Sequence, residues 1–87
     1  MTEAGPRDPC DLMEAAIEFI KQEIEAKSAR IQVLTGRLQK LQGQPDPDLA
    51  QIAQIQADIQ ELETQLASDL PQLAAFENEF SASCGPR

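Results

Sequence analysis

The stretch IEFIKQEIEAKSARIQVLTGRLQKL, residues 17–41, decides how this chain folds. Its residues Ile17, Ile20, Ile24, Lys27, Ile31, Leu34, Leu38 and Leu41 recur at alternating steps of three and four. An α-helix turns once in about 3.6 residues, so this spacing lines the side chains up in one narrow seam. These are the a and d positions of a heptad, with Ile17 at a and Ile20 at d. Lys27, at d, is the only polar residue in the run. A seam of this kind is made to lie along a second helix.

The partner is supplied further along the chain. Ile52, Ile55, Ile59, Leu62, Leu66, Asp69, Leu73, Phe76 and Phe80 carry the same alternation, with Asp69 as the polar interruption. The phase holds across Pro71, which falls at an outward position. A kink near Pro71 is therefore expected, because proline removes one hydrogen bond, that to the carbonyl of Ala67. A separate third helix beginning at Pro71 is the alternative.

A short connection between two amphipathic helices makes them antiparallel neighbours. Setting Leu41 against Ile52 then brings Leu38 to Ile55, Leu34 to Ile59 and Ile31 to Leu62. The series continues with Lys27 at Leu66, Ile24 at Asp69, Ile20 at Leu73, Ile17 at Phe76 and Met13 at Phe80. Every a position meets a d position, as an antiparallel coiled coil requires. The expected fold is all-α: an antiparallel two-helix coiled-coil hairpin, assembling into a helical bundle.

Local signals set the boundaries. Residues 1–8, with Gly5 and Pro6, read as a flexible N-terminal segment. Asp8 suits an N-cap, Pro9 the first helical position and Asp11 the positive end of the helix dipole. Helix 1 is predicted over 9–42, ending at Gly43, with Pro45 blocking continuation. Asp46-Pro47-Asp48 repeats the Asp-Pro start, which gives a loop over 43–46 and helix 2 over 47–83. Residues 85–87 read as a flexible end to the 9–84 hairpin.

Charge agrees with the pairing. From Ala26 to Pro45 helix 1 carries the bases Lys27, Arg30, Arg37 and Lys40, with no acid until Asp46. Helix 2 has no Lys or Arg, and its first half, with Asp48, Asp58, Glu61 and Glu63, lies beside that basic stretch. Arg37 and Asp58, both at g, are placed to pair. At the other end Asp11, Glu14, Glu18, Glu77 and Glu79 gather at the base of the hairpin, where like charge should push the chain ends apart.

Composition excludes several classes of function. A net charge of −8 opposes nucleic-acid binding, which needs a basic footprint. No apolar run approaches the roughly 20 residues of a membrane span, and residues 1–7 lack the apolar core of a signal peptide. A cytoplasmic location is the default expectation. With no His or Tyr, acid–base catalysis would fall to Asp, Glu, Lys or Cys, none of which sits in a nucleophile, phosphate-loop or metal motif. Glu61 and Glu63 point to different faces and make no metal pair. No catalytic residue, cofactor, metal or small-molecule substrate is expected.

Three features remain. Cys10 and Cys84 meet at the base if the hairpin forms, a candidate disulfide. The other reading is two separate thiols, with the redox compartment undecided. Lys27 and Asp69 fall in adjacent layers, about one helical turn apart, within reach of a lysine stem. They read either as a register pair or as a lysine extended to solvent beside a residue that eases the chain past Pro71. Finally, Leu12, Phe19, Ala26 and Val33 recur every seven residues at c, and helix 2 adds Leu49 and Leu70 at e. Two helices alone bury one seam and are marginally stable, so this apolar surface reads as an interaction stripe.

The expected function is a non-enzymatic protein–protein interaction or structural module that self-associates, a dimer being favoured. An adaptor or chaperone-like binder of a different helical protein is the alternative. A thiol redox element using Cys10 and Cys84 is the weakest reading, because no Cys-x-x-Cys spacing and no cationic neighbour lowers a thiol pKa.

Overall fold

A computed structural model describes residues 8–85; of the ends read as flexible from the sequence, 1–8 and 85–87, residues 1–7 and 86–87 lie outside the described residues. Two helices make up the fold, α1 over Pro9–Gln42 and α2 over Leu49–Cys84. They pack against each other as an antiparallel hairpin, with Cys10 near the start of α1 beside Cys84 at the end of α2.

The start of α1 follows from its first residues. Asp8 is extended, and its Oδ1 accepts the Cys10 backbone N–H at 2.8 Å. Its carbonyl takes the Leu12 N–H at 3.1 Å. Pro9, at the first helical position, has no N–H to leave unsatisfied. At the far end Gly43 stays right-handed (φ −83°, ψ −5°), so the stop does not use glycine's access to positive φ. The halt comes instead from Pro45, which disfavours helix at Gln44.

Helix α2 begins at Leu49, two residues later than the Asp-Pro resemblance suggests, and the connection covers 43–48. The capping residue is Asp48 rather than Asp46: its Oδ1 accepts the Gln51 N–H at 3.1 Å and its carbonyl the Ile52 N–H at 3.0 Å. Asp48 stands three residues before Gln51, the proper reach for a cap, whereas Asp46 lies two residues further out. Pro47 is thereby left outside the helix, half-buried at the turn. At Pro71 the helix does not end; α2 runs through it as one element, and no third helix starts there. Pro71 is exposed, on the side away from α1. Gly85 closes α2 at φ 82°, a left-handed conformation that glycine adopts without strain.

Burial follows the two seams. Every a and d residue from Ile17 to Leu41 and from Ile52 to Phe80 is buried or half-buried. The core proper is small: Ile17, Leu34, Ile52, Ile55 and Phe80. A compact protein of this mass exposes about 5,000 Å², whereas this chain exposes 6191 Å².

Candidate functional site

Among the described residues the two ion pairs both cross between the helices. The stronger is Lys27 with Asp69: the lysine Nζ donates to Asp69 Oδ2 at 2.6 Å, and each side chain is about one-fifth exposed. Both residues occupy d positions. Lys27 therefore reaches out of its own layer to the next, and the two polar breaks in the seam satisfy each other. A buried or half-buried charge is costly unless paired, so slipped registers that separate these groups are disfavoured. Removing one partner should cost more than removing both. We expect Lys27→Leu to cost about 1–3 kcal/mol, with Asp69 left unpaired, and Lys27→Leu/Asp69→Leu to recover most or all of it. Urea unfolding of the two single variants and the double variant measures the coupling; strictly additive losses would mean that the two groups do not hold each other.

The second pair lies near the base. Lys21 Nζ stands 3.8 Å from Glu77 Oε2, with both side chains nearly half-exposed. At that distance and exposure it contributes about 0–1 kcal/mol. It shows, however, that the acidic base is partly compensated. Glu79 is also engaged, accepting from the Ser83 hydroxyl at 3.2 Å. The expected Arg37–Asp58 ion pair is not formed; Asp58 instead accepts from the Gln54 amide one turn earlier at 3.0 Å. Beside it Arg30, Leu34, Asp58 and Gln65 line an open furrow between the helices.

Cys10 and Cys84 close the base. Their sulfurs are 1.99 Å apart, bonding distance, and their Cα atoms 5.9 Å apart. Phe80, one turn before Cys84, is buried, so the linked ends sit on packed side chains.

All five large side chains of the expected stripe are exposed: Leu12 52%, Phe19 63%, Val33 53%, Leu49 73% and Leu70 54%. They do not share one face. Lys21 and Glu77, both at e, meet along one flank of the hairpin, whereas Arg30, Asp58 and Gln65, all at g, line the other. Leu49 and Leu70, at e, belong to the first flank. Leu12, Phe19 and Val33, at c, lie on the back of α1 toward the g side. The heptad positions carry this division, but it becomes visible only when the two helices are laid together. The α1 patch is the larger, and small residues widen it: Ala15, Ala26, Ala29 and Gly36 are exposed around Phe19 and Val33.

Among the described residues no group of three or more metal-ligating side chains is present, and no helix is long and apolar enough to cross a membrane. No protein-family model, curated protein or solved structure matches the chain.

Proposed function

We propose that this chain is a non-enzymatic helical-hairpin interaction module that associates with further copies of itself, and that the back of α1 is the associating surface. The observation that carries this reading is Phe19, 63% exposed in the middle of a seven-residue apolar repeat on a hairpin with only five buried side chains. Burying apolar surface is worth about 25 cal/mol per Å², and a two-helix hairpin has few other places to gain it. The grooves on its surface are open furrows lined by polar and apolar side chains together, which suits packing against another helix better than enclosing a substrate.

The test is Phe19→Glu. This substitution puts a charge into the patch without touching the seam, so helical circular dichroism should be kept while self-association is lost. Sedimentation velocity over a wide concentration range reads the outcome. Unchanged sedimentation of an associating chain would remove this face as the contact. A wild-type chain that is monomeric throughout would instead favour a foreign helical partner.

A further inference from the structure

We infer that the second copy packs on α1 in antiparallel orientation, α1 against α1 about a two-fold axis at Ala26. This rests on the self-association reading and adds the geometry of the contact. The charge along α1 is divided. From Asp11 to Glu25 its charged residues are acids apart from Lys21, which faces Glu77; beyond Lys27, which Asp69 holds in the seam, Arg30, Arg37 and Lys40 are all bases.

Two such helices side by side in parallel would set acid against acid and base against base. Reversing one sets the acid beside the apolar patch, Glu23 at g, against the base Arg30 at g on the second copy, and also aligns the helix dipoles favourably. A two-fold axis makes the contact self-complementary, so a single patch on one chain suffices.

Placing Ala26 opposite its own copy fixes the rest. Phe19 then comes opposite Val33 of the second copy. Beside Val33 the surface has a shallow furrow lined by Gln32, Val33, Gly36, Arg37 and Lys40. Gly36 has nothing within 4 Å of where a Cβ would stand, so the furrow has room for the edge of a phenyl ring. Ala26 at the axis lets the two backbones approach closely. Glu23, at g and exposed, comes beside the exposed Arg30 of the second copy, and symmetry forms this pair twice. Leu12 falls against the aliphatic stem of Lys40, whose ammonium is left within reach of Asp11.

The test is a charge exchange at Glu23 and Arg30 in the full chain with its cysteines linked. Glu23→Lys or Arg30→Glu alone turns both symmetric pairs repulsive and should raise the dimer dissociation constant on the order of tenfold. The double variant E23K/R30E re-forms both pairs with the signs reversed and should restore the wild-type constant to within a few-fold. In a parallel contact Glu23 and the second copy's Arg30 would stand two turns apart and could not pair, so neither single exchange would weaken binding. Sedimentation equilibrium gives the constants, and circular dichroism checks that each variant is helical. A wild-type dimer indifferent to the single exchanges overturns the antiparallel geometry and leaves self-association standing. Single variants that weaken the dimer without rescue in the double variant also overturn it. A wild-type chain that never dimerises overturns both.

Discussion

Breaking the Cys10–Cys84 link should lower the stability of the hairpin by about 4 kcal/mol. The two cysteines are 74 residues apart in sequence, so the bond closes nearly the whole chain into one loop. An unfolded chain tied at both ends has far fewer conformations than a free one, and most of the stabilisation comes from that restriction. The native state gives up little, because both cysteines already sit at the ends of well-started helices: Asp8 caps α1 beside Cys10, and Phe80 is buried one turn from Cys84. The loss is large for a hairpin with five buried side chains among its described residues, and reduced protein should unfold at a much lower urea concentration. Urea titrations of the linked protein and of Cys10→Ala/Cys84→Ala, followed by circular dichroism, give the difference. A change below about 1 kcal/mol would mean that the unfolded chain is not restrained as the loop length requires.

Leu34→Ala should cost about 2–5 kcal/mol, the range for truncating a fully buried leucine. Leu34 is 2% exposed in the C-terminal half of α1, and its layer lies between the tip and the Lys27–Asp69 pair. Alanine there leaves a gap that a thin two-helix seam can close only by pulling the helices together, which strains the layers above and below. Ile17 is 1% exposed and should respond in the same way, but it lies nearer the linked base, where the disulfide limits separation of the helices. Leu34 is therefore the more sensitive probe of the seam.

The seam was legible because side-chain period is a property of the backbone. Residues at steps of three and four must share a face of any helix that forms, whatever packs on it. The meeting of Cys10 with Cys84 and of Lys27 with Asp69 followed from the same arithmetic once the helices were laid antiparallel. Other features were set by competition that spacing does not resolve. Asp46 and Asp48 both had the chemistry of a cap, and Asp48 took the role. Arg37 and Asp58 could reach each other, but a glutamine one turn away on the same helix meets Asp58 instead. Lys21 lies outside the basic run that matched the first half of α2, so its approach to Glu77 went unread. The apolar stripe looked continuous along the sequence; its division into two patches depends on which flank each heptad position faces when the helices pair.

One seam of a and d residues holds the hairpin together, while apolar side chains outside it do not. This is tested most directly by making the same substitution inside and outside the seam, in Leu34→Ala and Leu70→Ala. The two leucines are 2% and 54% exposed. Urea unfolding at one low protein concentration should show a loss of about 2–5 kcal/mol for Leu34→Ala and no more than about 0.5 kcal/mol for Leu70→Ala. Equal losses at the two positions would contradict the seam as the source of the fold.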